Sequence, residues 1–414
     1  MAPEGGDDHY RKLAELLDVE RREEVARLAA DRKSLSDAER EARGESIGRL
    51  EVVDEEGGLA GRWLVTFAKA SKDPLPPGSL DVGDPVALAN ADPAADIAPG
   101  PRGSAPAAPQ GIVARRRFDR LTVAFDDELP EGYEGTRLRL DRLADDTTYK
   151  KLRAALERVR AAKKGERLAA LRDLFDGRTE RSLSPHATLP VNPNKNRPNF
   201  PGLNVPQAEA VTFALDATDV ALIHGPPGTG KTTAVIALIA AAVARGEKVL
   251  ACAASNAATD LIAERCEERG LDPVRIGHPA RISPAILASS LDERARAHDD
   301  AKLARDLLAR SAEIRRKLGK RTRAAPDWEE KRALREEAKT LRDDARKLAR
   351  SAIDRVLDAA PVVCATLTGA EGEPLRDRTF DLVVIDEAAQ ALEPACWIAI
   401  ARARPEGGGR RAGR

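Results

Sequence analysis

The chain has 414 residues and 44.5 kDa, with 68 Lys and Arg against 68 Asp and Glu. That length implies roughly two to three domains, and a balanced charge excludes bulk basicity, leaving only a local patch for any nucleic-acid contact. Four cysteines, Cys252, Cys266, Cys364 and Cys396, show neither paired framework nor metal-ligand spacing, so a disulfide-stapled fold is excluded.

The start, MAPEGGDDHYRK, lacks the apolar stretch of a signal peptide. Its first forty residues read as helix, with Leu13, Leu16 and Leu17 at i, i+3, i+4 spacing among charges. Ser36 with Glu39 has the form of a capping box and opens a second short helix ending near Gly44. Residues 1–46 are therefore expected to be stalk helices. Short β-type runs follow at Ile47–Val53, Arg62–Phe67, Val86–Ala89, Ile112–Arg116 and Leu121–Phe125, separated by turns such as Gly57-Gly58 and Asp126-Asp127. Several short strands at this spacing predict a small barrel or sandwich over 47–143, interrupted by an Ala/Pro-rich loop from Asn90 to Gln110. Trp63 and Phe67 fall on one face in the alternation and belong to its core. Arg115, Arg116, Arg117 and Arg120 form a basic cluster that reads equally as a phosphate contact or a solvated hairpin.

Helix returns at Thr147–Ala162 and Glu166–Phe175, within a second stalk over 144–183. A Pro/Asn-rich linker occupies 184–202. From Leu203 to Arg404 strand and helix alternate: strand Val220–Ile223, helix Lys231–Ala244 closed by Gly246, then strands Val249–Ala253, Val362–Thr366 and Leu382–Ile385. The charged segment 284–358 reads as an exposed helical hairpin. From Ser283 to Ala360 there are 20 Lys/Arg against 15 Asp/Glu. The longest apolar run, Ala234–Ala244, is shorter than the ~20 residues a bilayer span needs, so a soluble, cytoplasmic chain without a membrane partner is expected.

Two motifs carry chemistry. Gly225-Pro226-Pro227-Gly228-Thr229-Gly230-Lys231-Thr232 fits the phosphate-loop pattern G-x-x-x-x-G-K-[ST]. Glycines let backbone N–H groups curl around phosphate oxygens, and the following helix presents unpaired N–H groups and a positive dipole end. Lys231 supplies a mobile charge for the β- and γ-phosphates of ATP, Thr232 a hydroxyl ligand for Mg²⁺, and Thr233 extends the loop's hydroxyl rim. Leu382-Val383-Val384-Ile385-Asp386-Glu387-Ala388-Ala389-Gln390 puts two carboxylates at the C-terminal end of a buried strand. Asp386 would hold Mg²⁺ and Glu387 would orient and deprotonate an attacking water. A helix N-cap with a first-turn acid is the plain alternative for that pair.

With AASNAATD at 253–260 added, these motifs resemble a superfamily 1 helicase. The group is the one containing the nonsense-mediated-decay helicase and the immunoglobulin mu-binding protein helicase. RIGHPARI at 275–282, VVCATLTGA at 362–370 and VVIDEAAQALEPACWI at 383–398 resemble it too, so the likeness runs from about residue 10 to residue 404. It implies an α/β, RecA-like P-loop domain with helices on both faces of a mostly parallel sheet, preceded by a small β-barrel on helical stalks. It further implies ATP-driven 5′-to-3′ movement on single-stranded DNA or RNA. Leu203-Asn204-Val205-Pro206-Gln207 resembles the family's Q motif, where Gln207 would read the adenine edge. Ser255 and Asn256 lie in the first nucleic-acid motif, and Thr366 and Thr368 in a further one. Gln390 resembles the residue that couples the ATP site to the second motor domain.

After Ile400 the family pattern continues into that second domain, with its arginine finger. Here residues 405–414 are a Gly/Arg tail, and a truncated or frameshifted reading frame is expected, with the second motor domain encoded downstream. On that expectation the chain binds ATP and single strands but unwinds little. A non-motor ATP- and nucleic-acid-binding module, or another class of P-loop ATPase, are the alternatives.

Overall fold

In the computed structural model the described residues are 6–57, 63–90, 108–125, 129, 137–144, 146–178, 200–217, 219–319 and 328–404. Most of the expected Ala/Pro-rich loop, the Asp126-Asp127 turn, nearly all of the expected linker and the Gly/Arg tail lie outside them.

Helix α1 (Gly6–Ser34) is followed by α2 (Asp37–Ala42). The Ser36–Glu39 capping box is present in both directions, and Gly44 takes a left-handed φ of 75° just past the end of α2. Six strands then close an antiparallel barrel: β1 (Ser46–Gly57), β2 (Trp63–Lys69), β3 (Pro85–Asn90), β4 (Gln110–Arg116), β5 (Arg120–Phe125) and β6 (Leu138–Arg142), in the order β1-β2-β5-β4-β3-β6. Closure removes the open edges that a sheet would otherwise expose. The barrel interior is filled by Ile47, Val65, Phe67, Leu88, Val123, Phe125 and Leu140, with Trp63 packed against it. Strand β6, Leu-Arg-Leu-Asp-Arg, was not among the strands expected from sequence. Its two leucines face the core while Arg139 and Asp141 serve α2: Arg139 pairs with Asp37 at 3.2 Å, and Arg40 and Asp141, both buried, pair at 2.9 Å.

Two stalk helices return, α3 (Asp146–Ala161) and α4 (Arg167–Phe175). The α/β domain contains α5 (Val205–Asp216), α6 (Lys231–Ala244), β7 (Val249–Ala253), α7 (Asn256–Glu268), β8 (Pro273–Ile276), α8 (Leu291–Ala297), α9 (Asp299–Gly319), α10 (Trp328–Ala359), β9 (Val362–Thr366), β10 (Leu382–Asp386) and α11 (Glu393–Ile400). Its four strands are all parallel, in the order β10-β7-β9-β8. Strands buried on both faces read as continuous apolar runs. In β7 and β9, alternate residues divide between the two faces. Leu250, Cys252, Val363 and Ala365 pack with α1, α3 and α11, whereas Val249, Ala251, Val362 and Cys364 pack with α6 and α7. Burial pushes the Cys252 thiol up to about 12, and a hydrogen bond with Cys266, together with burial, raises Cys364 as well, so both act as small apolar core residues. Helices α9 and α10 form the charged hairpin, closed on Ala304, Ala345 and Ala349. No described helix is long and apolar enough to cross a membrane.

One expectation is corrected. Val220–Ile223 is not a strand, and Leu222 is 81% exposed. An apolar run supplies the side chains of a strand, but a strand also needs a neighbouring backbone about 4.8 Å away. Among the described residues none runs beside this segment. Phe380, just before β10, exchanges bonds of 2.8 Å with Arg402 and Arg404 instead.

Arg275 is the largest fully buried side chain and sits inside β8. Its Nε donates to Asp260 Oδ1 at 2.6 Å, and Asp260 Oδ2 accepts from the Ser283 N–H at 2.8 Å. Breaking such a pair strands a buried charge, at a cost of about 3–5 kcal/mol. Arg275→Met is expected to lower the unfolding free energy by about that amount in urea titrations, and Arg275→Met with Asp260→Leu is expected to recover a large part of it.

Candidate functional site

Parallel register sets the level of the site. Asp386 pairs with Ala253, which pairs with Thr366, and Ile276 pairs with Ala365. The segments leaving β10, β7, β9 and β8 therefore emerge along one edge. Asp386-Glu387, Ser255-Asn256 and Thr366–Thr368 all stand on it.

The phosphate loop enters α6 on a backbone only glycine adopts easily: Gly228 and Gly230 have φ of 79° and 78°. Gly230 is the α6 N-cap and offers no side-chain cap, so the first N–H groups of α6 remain for another acceptor. Lys231 Nζ donates to the carbonyls of Gly225 (2.9 Å) and Pro226 (3.3 Å), and Thr229 Oγ1 donates to the Pro226 carbonyl (2.8 Å). The lysine thus folds across its own loop. Pro227, Gly228 and Thr229 are exposed, whereas Thr232 at the first turn is partly covered.

Gln207 reaches the same loop from α5. Its Oε1 accepts from the Asn204 N–H at 3.1 Å in a capping box, and its Nε2 donates to the Thr229 carbonyl at 2.9 Å. A Cβ on Gly230 would stand 2.4 Å from that Nε2. Asn204 is the cap that fixes Gln207, and the Asn-x-x-Gln spacing is its signal in the sequence.

The Asp386 carboxyl is half-buried, and its pKa is raised above the ordinary aspartate value chiefly by burial. The Glu387 N–H (3.1 Å) lowers it, the Glu387 charge adds to the rise, and Lys231 lowers it. Helix α6 and β10 pack directly on each other, Ala234 and Leu238 against Leu382. Glu387 is exposed and holds a left-handed φ of 51°. Such a conformation costs a non-glycine residue about 1–3 kcal/mol and concentrates at working sites. Gln390 Nε2 donates to Glu387 Oε2 at 3.3 Å, and its backbone N–H to the Glu387 carbonyl at 2.9 Å. The structure therefore brings Gln207, the phosphate loop and the Asp386-Glu387-Gln390 turn to one end of the sheet.

The residues expected to touch nucleic acid carry local structure as well. Ser255 Oγ accepts from the Ala258 N–H (3.2 Å) and caps α7. Asn256 Oδ1 accepts from Arg275 Nη2 (3.0 Å). Thr366 Oγ1 accepts from the Gly369 N–H (3.1 Å), and the Thr368 carbonyl accepts from Lys151 of α3 (3.2 Å). Nothing in the spacing announced Arg275, because an arginine inside Pro-Val-Arg-Ile reads as solvent-facing.

No group of three or more His, Cys, Asp or Glu among the described residues could hold a metal unaided. One carboxylate and one hydroxyl nevertheless fit Mg²⁺, which keeps waters and phosphate oxygens as its other ligands. Asp386, half-buried and short of compensating charge, suits such an ion, with Thr232 as the hydroxyl.

Fold and site together define a P-loop nucleotide-binding domain carrying a barrel on helical stalks. Residues 202–405 match the family model described as AAA domain, and residues 10–144 match that described as Helicase SMUBP-2/HCS1, 1B domain. DNA-binding protein SMUBP-2 of Mesocricetus auratus is 37% identical over 403 residues, covering 94% of this chain and 38% of the relative. DNA polymerase alpha-associated DNA helicase A of Schizosaccharomyces pombe is 31% identical, covering 93% of this chain and 57% of the relative. ATP-dependent helicase upf1 of the same yeast is 31% identical over 63% of this chain and 26% of its own length. The chain belongs to this superfamily 1 helicase family, in the SMUBP-2 and upf1 group, and spans 38% of the length of the Mesocricetus auratus relative.

Because the folded Asp386 pKa lies above its unfolded value, the native state binds the proton more tightly. Its charge therefore costs stability as pH rises from the unfolded value of 3.8 through the raised folded value, and stays costly above. Asp386→Asn is expected to raise the melting temperature at pH 7, with the gain vanishing below about pH 3.8; scanning calorimetry across pH checks both limbs.

Proposed function

We propose that the edge formed by the phosphate loop and the Asp386-Glu387 pair binds and hydrolyses Mg-ATP, and that the chain is the ATP- and strand-binding half of a helicase. The observation that supports it most is that α6, which the glycine-built phosphate loop opens, packs on β10, which ends in the Asp386-Glu387 pair, through Ala234 and Leu238 against Leu382 and Val235 and Ile236 against Val384. A cation for phosphate, a carboxylate for the metal and a second carboxylate for water meet at one helix N-terminus. Mg²⁺, held by Thr232 and Asp386, would neutralise charge on the β- and γ-phosphates.

In this reading Lys231 releases the Gly225 and Pro226 carbonyls and moves to the phosphates. Glu387 takes a proton from water as its oxygen attacks the γ-phosphorus, and the bond to the ADP oxygen breaks. Gln207 gives up one of the hydrogen bonds of its side-chain amide to reach adenine, so nucleotide arrival and loop opening are linked. Gln390, bonded to Glu387, passes the state of the site onward. Ser255, Asn256, Thr366 and Thr368 stand where a single strand, DNA or RNA, would cross the same edge; their peptide groups and the exposed Ser255 are the available contacts. The relatives named helicases bring strand movement, 5′ to 3′, into the reading. Movement needs a second motor domain closing on the first, with an arginine finger worth about 10³–10⁵ in rate.

Lys231→Ala is expected to weaken Mg-ATP binding ten- to a hundredfold, since a charge-assisted contact contributes about 1.5–3 kcal/mol. Titration calorimetry measures this, and equal affinity in the two proteins would remove the site assignment. These 414 residues alone are expected to bind ATP but displace little strand. Robust unwinding lost in Glu387→Gln would show instead that a dimer or partner supplies the finger.

A further inference from the structure

Where the stalk meets the α/β domain, an open cavity of about 450 Å³ lies between α3, α4, the segment leading into β10 and the end of α11. It stands at the start of β10, whereas Asp386 ends that strand, roughly 13 Å further along it. Four arginines line the cavity: Arg158 from α3, Arg376 and Arg378 ahead of β10, and Arg402 just past α11.

The four differ in how well they are paired. Arg378 is fully engaged, donating to Asp354 at 2.8 Å and pairing also with Asp358, both on α10. Arg402 is buried, and it meets Glu371 at 3.5 Å, a carboxylate that Arg158 already holds at 2.6 Å. One acid thus serves two guanidiniums. The Nε atoms of Arg158 and Arg402 are both buried and have no hydrogen-bond partner among the described residues. Burial pulls the Arg402 pKa below the usual arginine value, and the Arg158 charge lowers it further against the pull of Glu371. A buried charge short of a counter-charge is costly, and another anion would complete it.

Two further groups border the same cavity. Arg376 is exposed, and its partner Glu373 is an exposed acid 3.6 Å away, a pair weak enough to exchange. Helix α4 starts after Glu166, which makes no side-chain cap, and Leu168 of its first turn lines the cavity. The first N–H groups of this nine-residue helix are therefore left for another acceptor. Glu166 and Asp377 lie on the rim, both exposed, where water weakens their charge, and Glu166 turns its carboxylate back to the Lys163 N–H at 3.1 Å.

We infer that this cavity binds a small polyvalent phosphate compound, held by Arg402, Arg158 and Arg376 and by the α4 N-terminus. Guanidinium forks match pairs of phosphate oxygens, and a helix N-terminus supplies N–H groups for a further one. The volume falls within the range of small-molecule sites, which favour domain junctions. Arg158 and α4 belong to the stalk, Arg376 and Arg402 to the α/β domain, so an anion here bridges the two and tightens the stalk against the base of β10. The site lies at the opposite end of β10 from the nucleotide edge and stands independently of ATP binding there.

The test is titration calorimetry of the whole chain with inorganic pyrophosphate and with orthophosphate, in chelator and at constant ionic strength. A Lys231→Ala background removes the main charge of the phosphate loop. Saturable pyrophosphate binding, tighter than that of orthophosphate, is expected to persist in this background and to raise the melting temperature. Adding Arg376→Ala, a change at an exposed side chain, is expected to weaken it roughly tenfold, and adding Arg402→Gln to abolish it. If Arg402→Gln does not fold, hydrogen exchange on the Lys231→Ala chain reads the site directly. Pyrophosphate should then slow the amides of residues 167–169 and 376–379 and leave Gly228–Thr232 unchanged. No binding in the Lys231→Ala chain, binding unaltered by Arg376→Ala, or protection confined to Gly228–Thr232 would overturn the site. Equally weak binding of pyrophosphate, orthophosphate and chloride would show counterion attraction alone and overturn it as well.

Discussion

The in-register parallel pairing of β10, β7 and β9 is the constraint on which everything else rests. Asp386, Ala253 and Thr366 stand side by side because their strands start level and rise together. A one-residue slip would carry Val249, Ala251 and Ala253 from the α6–α7 face to the stalk face and lower the Ser255 turn relative to Asp386. Small apolar side chains, Ala251, Ala253, Ala365 and Cys364, let helices approach both faces closely. With both faces covered, polar chemistry is left to the strand ends, where backbone groups and acidic side chains reach solvent.

The stalk belongs to the same core. Tyr10 of α1 meets Trp397 of α11 edge to face at 5.9 Å, and its hydroxyl donates to Asp176 at 3.1 Å. Burial, with Asp176 beside it, raises the Tyr10 phenol pKa well above its usual value, so it remains a donor. Trp397 in turn donates to Glu393 at 3.2 Å, and Glu393 also meets His9 at 3.0 Å. Glu393 begins the helix that follows the Asp386-Glu387-Gln390 turn, so stalk and turn are fixed to one element. Lys151, on α3, holds the Thr368 carbonyl at the opposite part of the edge. Barrel, stalk and nucleotide edge are thus joined by specific bonds as well as by apolar contact.

Much of this was legible in the sequence. The bounds of α6, β7 and β9 follow from apolar runs ended by glycine or polar residues, and the Ser36 capping box was readable from spacing. The phosphate loop and the Asp-Glu pair are local patterns with a local physical meaning, so they survive without knowledge of the fold. What failed depends on distant partners. Leu138-Arg139-Leu140-Asp141-Arg142 looks too charged for a strand until Arg40 arrives to pair with Asp141. Val220–Ile223 looks like a strand until its missing neighbour is noticed. Arg275 and Asn256 meet only because β8 and α7 pack together.

Amide hydrogen exchange with and without Mg-ATP tests the nucleotide edge most directly, because it reads the N–H groups that would hold phosphate. A phosphate site at the α6 N-terminus requires exchange to slow at Gly228, Gly230, Lys231 and Thr232, with a smaller change around Asp386–Gln390. Unchanged exchange at those amides under saturating Mg-ATP, or protection confined to another part of the chain, would contradict it.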